Sequence, residues 1–294
     1  MSDIHALDRE RVRRAFHRAA ASYDEVAVLQ REVGRRLLER YDLVRIAPAR
    51  FLDLGCGTGD ALRPLAARFR GAEPVALDFA QGMLDRVPAR IGGPLWWGRP
   101  VRRICAEAER IPLADGSVDL VHSNLMLQWC EDLGAVSAEV RRVLSAGGLF
   151  SFTLFGPDTL CELRAAWAEV DDRVHVNRFP DMHDVGDALV HTGFADPVLD
   201  VETITIRYRS VRDLMRDLKQ LGANNANAGR PRGMGGRSRW AALEQAYERM
   251  RSEGTLPASY EVIYGHCWGT PPKQRTGADG AVSIPISTIG RSPR

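Results

Sequence analysis

The chain has 294 residues and a formal net charge of +2. That length holds one large core, or one core with an elaboration, and so small a charge gives no global argument for nucleic acid or a membrane surface. No apolar run is long enough to span a bilayer, and the five cysteines are scattered without C-x-x-C spacing, which indicates neither a disulfide framework nor a zinc site.

The N-terminus has no apolar stretch of the secretory kind, and Asp3, Asp8 and Glu10 argue against a transit peptide. A cytoplasmic, reducing location is expected, with the cysteines as buried thiols. Residues 8–42 read as a cap of two helices. The first carries Val12, Ala15, Phe16 and Ala19 at helical spacing; the second carries Val26, Leu29, Val33, Leu37 and Tyr41. Ser22-Tyr23-Asp24 between them reads as a break with a helix cap. Tyr23 is either a half-buried aromatic or a polar tip that closes over a site.

An apolar strand at 50–54 then breaks into Gly55-Cys56-Gly57-Thr58-Gly59, and a helical pattern follows at 59–70. This is a strand, a tight glycine turn and a helix start, where free N–H groups favour a negative ligand group. The G-x-G-x-G spacing with Asp53 just upstream resembles motif I of the class I S-adenosylmethionine (SAM) methyltransferases. A second strand at 74–78 ends in Asp78, roughly 20 residues beyond the last glycine, where doubly wound folds place the carboxylate that takes ribose hydroxyls.

Further strands are expected near 101–105, 118–123 and 148–155, with helices near 81–89 and 132–144. Alternation of this kind means a parallel sheet with right-handed crossovers. Arg90 to Pro100 reads as a loop whose Trp96 and Trp97 are core plugs or a rim contact. Met83 is placed either to pack on adenine or in helix core. Glu107 can accept from the adenine amine, with the Ala108 amide beside it. Asn124, at the C-terminal end of its strand, is a contact for the methionyl part, whereas His122 is structural.

Ser123-Asn124-Leu125-Met126-Leu127-Gln128-Trp129-Cys130 and Phe155-Gly156-Pro157-Asp158-Thr159-Leu160-Cys161-Glu162-Leu163-Arg164 resemble the malonyl-acyl carrier protein O-methyltransferases of biotin synthesis. Asn177-Arg178-Phe179 and Tyr260 to His266 are similar too, so the resemblance covers roughly 10–268. It implies a Rossmann-like, seven-stranded, mostly parallel sheet, with SAM held by Asp53, Gly55, Gly57, Gly59, Asp78, Met83, Glu107, Ala108 and Asn124. It implies methyl transfer to the free carboxylate of a malonyl thioester. A carboxylate is already ionised at neutral pH, so no general base is needed. A bidentate arginine suits the acceptor; Arg164, with Tyr23 positioning the carboxylate, is the expected pair, and Arg178 and Arg207 are alternatives. A related mitochondrial complex I assembly factor, implicated in arginine hydroxylation, shares the D-T-L-x-E-L-R segment. That activity, and methylation of RNA or another small molecule, stay open.

Asp158 or Thr159 can cap a helix running to about 171. A short helix from His183 to His191 ends at Gly193, a strand follows at 198–208, and Tyr260 to Trp268 is the last strand. Between these two strands, 207–257 reads as a helical insertion, with helices at 211–221 and 238–252, packed over the cofactor pocket. Arg207, Arg209, Arg212, Arg216, Lys219, Arg230, Arg232, Arg237 and Arg239 make 207–239 either a solvated surface or a docking patch for an acidic carrier protein. Residues 1–268 are expected to form one domain, and 269–294, rich in Pro, Gly, Ser and Thr, a poorly ordered tail.

Overall fold

The computed structural model describes residues 8–93, 98–222 and 236–271. Trp96 and Trp97, Arg230 and Arg232, and nearly all of the expected tail lie outside the described residues. The chain opens with helices Arg9–Ala19 (α1), Tyr23–Val26 (α2) and Val28–Glu39 (α3). It continues through Arg50–Leu54 (β1), Leu62–Arg68 (α4), Glu73–Asp78 (β2), Gln81–Leu84 (α5), the short pair Arg90–Ile91 (β3) and Arg99–Pro100 (β4), and Arg102–Cys105 (β5). Next come Val118–Asn124 (β6), a 3-10 turn at Leu127–Trp129, Leu133–Val143 (α6) and Leu144–Phe155 (β7). The last elements are Cys161–Ala168 (α7), Met182–Thr192 (α8), Ala195–Tyr208 (β8), Val211–Gln220 (α9), Arg237–Glu248 (α10) and Leu256–Trp268 (β9).

Among the described residues, seven strands form one sheet in the order β5-β2-β1-β6-β7-β9-β8. β9 runs antiparallel to both neighbours, and the other pairs are parallel. The order reverses between β1 and β6, and at such a point the strand ends leave a crevice for ligands. Successive side chains of β1 go to opposite faces. Leu52 and Leu54 join Val121, Phe150 and Ile263 beneath α6 and α8, while Phe51 joins Leu120 and Leu149 against α4. A third apolar cluster joins α3 and α7 to α9 and α10 through Leu37, Leu163, Leu214 and Tyr247. The expected His122 is indeed structural: it is fully buried, and its Nδ1 lies 2.9 Å from the Tyr41 hydroxyl.

Several boundaries differ from the sequence reading. The cap holds three helices, because α2 forms its own turn between α1 and α3. The helix expected over 81–89 ends at Leu84, since Pro88 removes a donor and disfavours a helical Val87. The expected loop at 90–100 contains the β3–β4 pair. Neither Asp158 nor Thr159 caps α7. Leu160 holds that position in the left-handed region (φ 55°), and the Thr159 hydroxyl donates instead to the Glu261 carbonyl at 3.0 Å. No helix of the described residues is long and apolar enough to cross a membrane.

Candidate active site

The glycine turn after β1 has positive φ at Gly55, Gly57 and Gly59. A Cβ at Gly55 would come within 2.1 Å of the Met126 Cγ, so only glycine fits there. The turn is stitched to β2: Gly55 N and Cys56 N both donate to the Leu77 carbonyl. Gly57 N donates to Asp78 Oδ2 at 2.9 Å, and Ala80 N donates to Oδ1 at 2.8 Å. Burial outweighs these bonds and pushes the Asp78 pKa up to about 6.

A cavity opens over this turn, lined by Tyr23, Gly55, Gly57, Asp78, Met83, Glu107, Ala108 and Asn124. Eight of the residues expected from sequence therefore meet in one place. Gly59 and Asp53 do not line the cavity. Gly59 closes the turn beside Leu62 and Val87. Asp53 lies buried in β1, pushed up to about 8 by burial and then by Asp78 and Asp60.

The cap covers the cavity. Tyr23 lies over the turn, with its Cε1 4.0 Å from the Cβ position of Gly57. Burial, together with Asp78 and Asp24, holds the Tyr23 phenol well above its usual pKa, so it stays a hydrogen-bond donor. Met83 is fully buried against Ala20 and Ala80, with Phe16, Tyr23 and Phe79 beside it. Glu107 is gripped by Arg9 of α1 (3.0 Å), which also holds Glu109 (2.7 Å). The Asn124 side chain is engaged between the Gln30 carbonyl and Thr153, so it offers the cavity a braced wall.

Sequence reasoning missed Arg9, Gln30 and Leu221 in the lining, because each arrives from a distant part of the chain. Gln128, Trp129 and Phe155 also line the cavity and lay within the family-like segments. Arg164 lines a different space, a groove of about 1120 Å³ between the 3-10 turn and the 157–184 segment. Arg164 and Tyr23 thus do not share a cavity. The Arg164 guanidinium donates to the Thr159 carbonyl at 2.9 Å. Arg178 lines the same groove, which meets the cofactor-type cavity at Gln128 and Cys130.

The strand order, the glycine turn and the acid ending β2 define a class I SAM-dependent methyltransferase. A family model described as a methyltransferase domain matches residues 52–152. The YcgJ protein of Bacillus subtilis, at 15% identity, superposes with a TM-score of 0.57 over 82% of this chain and all of its own, and so shows the fold. A malonyl-acyl carrier protein O-methyltransferase of Gallionella capsiferriformans is 48% identical over 96% of this chain and 97% of its own. One of Halorhodospira halophila is 50% identical over 99% of both. The chain belongs to the malonyl-acyl carrier protein O-methyltransferase family, and it is a SAM-dependent O-methyltransferase.

The cavity suits a cationic cofactor. Gln30 Oε1 and Glu109 Oε1 in its wall, and Asp53 Oδ2 beneath it, are buried acceptors without a partner among the described residues. Buried acceptors left unpaired are costly and call for a donor. Asp78, Phe79 and Met83 line the cavity together, a carboxylate that could take hydroxyls beside an apolar surface that could take a base. Among the described residues no group of side chains could hold a metal ion.

Proposed function

We propose that the protein transfers a methyl group from SAM to the free carboxylate of a malonyl thioester on acyl carrier protein, in the cytoplasm, to prime pimeloyl synthesis for biotin. The observation that carries this reading is the joining, at Gln128, of a nucleoside-type cavity to a groove large enough for a carrier's flexible arm. Relatives of this length and identity support it over arginine hydroxylation or RNA methylation. We read 1–268 as one methyltransferase domain, with 8–42 as its cap and 207–257 as an insertion.

SAM supplies an electrophilic methyl on a sulfonium. The chain's residues must bind, align and exclude water. Asp78 takes the ribose hydroxyls, Glu107 and the Ala108 amide face adenine, and Met83 packs on it. The turn Gly55–Gly59 and Asn124 border the methionyl end, and Asp53 lies beneath as the protonated carboxyl that its burial favours. Among the described residues no histidine lines the cavity, in keeping with an acceptor that is already ionised. The Tyr23 hydroxyl, held protonated, donates to the acceptor carboxylate and orients it. A single neutral donor leaves the oxygen nucleophilic, where a bidentate arginine would compete for its lone pairs.

Arg164, with Arg178, acts farther out, in the groove, on the anionic arm. The insertion is a weaker docking surface than its arginine count suggests. Arg207, Arg212, Arg216 and Arg239 are each in ion pairs, with Glu253, Glu244, Asp213 and Asp171. Among the described residues of the patch, Arg209, Lys219 and Arg237 are left to meet an acidic partner.

The test is methyl transfer from labelled SAM to malonyl-acyl carrier protein, with malonyl-CoA and acetyl-acyl carrier protein alongside. Base-labile label on the malonyl carrier and none on the acetyl carrier is the expected result. No label on any malonyl thioester, with SAM still bound, would sink the reading.

A further inference from the structure

Gln128 stands at the junction of cavity and groove, lining both. It is 7% exposed. Its Nε2 donates to the Leu125 carbonyl at 2.7 Å, which fixes which end of the amide points away. Leu125 is itself held in the left-handed region (φ 50°), with its N–H shared between the Thr153 carbonyl and hydroxyl. The side chain is therefore pinned from behind. The other end, Oε1, is buried and has no partner among the described residues. A fixed, buried acceptor at the meeting of two binding spaces is poised to accept from a ligand that enters either one.

The chemistry of that donor can be narrowed. The malonyl carboxylate and the thioester carry no hydrogen to donate. The ammonium of the cofactor has another acceptor in the cavity wall, where Gln30 Oε1 of α3, beside Asn124, is equally unpaired. The arm of a carrier thioester has an amide N–H a few bonds beyond the sulfur. With the carboxylate in the cavity and the arm in the groove, that N–H falls at the junction. An acceptor oxygen there also repels the carboxylate, which discourages it from stopping short of the cofactor.

Building on the malonyl-thioester reading above, we propose that Gln128 is a positioning residue whose Oε1 accepts a hydrogen bond from the thioester-side amide of the substrate arm. The bond sets how far the arm enters, and hence where the carboxylate stops.

The test compares malonyl-pantetheine with an analogue in which the thioester-side amide is an ester, so that oxygen replaces N–H. The wild-type enzyme is expected to lose about tenfold or more in kcat/KM on the ester analogue. Gln128→Met, similar in shape but without the acceptor, is expected to treat the two substrates alike. Gln128→Leu, which also lacks the acceptor, is expected to treat the two substrates alike as well, which preserves the test if the Met variant fails to fold. Equal use of amide and ester by the wild type would overturn the assignment. So would a Gln128→Met enzyme that keeps the preference, or one whose only defect is weaker SAM binding. A wild-type enzyme that binds SAM and methylates neither malonyl thioester would instead refute the substrate reading, and this inference with it.

Discussion

The Thr58 hydroxyl, in the glycine turn, donates a 2.6 Å hydrogen bond to the Asp24 carboxylate in the first turn of α2. This bond ties the cap to the turn directly beside Tyr23. It is one of several polar contacts between cap and body, among them the Arg9 grip on Glu107 and Glu109 and the 2.9 Å bond from Gly82 N to His17 Nδ1.

Because Asp24 is exposed, cutting this tie should affect cap closure more than folding. Thr58→Val and Asp24→Asn are each expected to weaken SAM binding by roughly threefold to tenfold, the net worth of one solvent-screened hydrogen bond. The dissociation rate of SAM by stopped flow should rise correspondingly, with the melting temperature nearly unchanged. A variant with wild-type dissociation would show that the cap closes without this bond.

Asp78 must be ionised to serve as a pure acceptor for two hydroxyls. Burial raises its pKa to about 6 in the free protein. The charged form therefore dominates above pH 6 and is lost as pH falls through that value. SAM affinity is expected to drop toward tenfold per unit below pH 6. Asp78→Asn should bind weakly at every pH, with the slope gone. Calorimetry from pH 5 to 7 checks both; a slope that survives in Asp78→Asn would assign it to another group.

Asp53 gives a stability prediction of the opposite sense to an ordinary carboxylate. Its folded pKa of about 8 lies above the ordinary value of 3.8. Between those values the folded state holds a proton that the unfolded chain has released, so stability falls as pH rises through the window. Asp53→Asn has no proton to lose. Its melting temperature is expected to exceed that of the wild type by a margin that grows from pH 5 to pH 8. The buried His122, lowered to about 4, is common to both proteins and cancels in the difference. A constant or shrinking margin would show that Asp53 is charged throughout.

What the sequence disclosed and what it hid divide along physical lines. The turn at Gly55–Gly59, Asp78, Met83 and Glu107 were legible because neighbouring strands of a parallel sheet deliver their C-terminal ends to one crevice, so local spacing is enough. Tyr23 was legible as a polar aromatic at a helix break. Arg9 was not: its partners, just beyond β5, lie about a hundred residues away, and no local spacing reports a contact of that range. Asn124 was placed correctly in space, but its amide is consumed by Gln30 and Thr153, a pairing that no local pattern reveals. Arg164 was expected beside Tyr23, yet the left-handed Leu160 turns α7 so that its arginine faces the groove.

That same segment yields the last prediction. The residues that looked most family-specific, Phe155 to Arg164, form a strap fastened to β9. Glu162 accepts from Ser259 N at 3.0 Å and from its hydroxyl at 2.5 Å. Asp158 N donates to Glu261 Oε2 at 2.7 Å, and Glu261 leaves no room for a Cβ at Gly156. Phe155 at one end of the strap lines the cavity, while Pro157 and Arg164 line the groove. Loosening the strap should therefore disturb the acceptor side and spare the cofactor side. Glu162→Ala leaves Ser259 N without its acceptor, a loss of about 1–3 kcal/mol in stability for a buried group and less here, where the bond is only partly buried. The variant is expected to bind SAM with wild-type affinity while kcat/KM for the carrier thioester falls about tenfold or more, chiefly through KM. Glu162→Gln keeps one acceptor oxygen and should recover much of the loss. If SAM affinity fell in step with kcat/KM, the strap would be supporting the whole sheet edge rather than the wall of the groove.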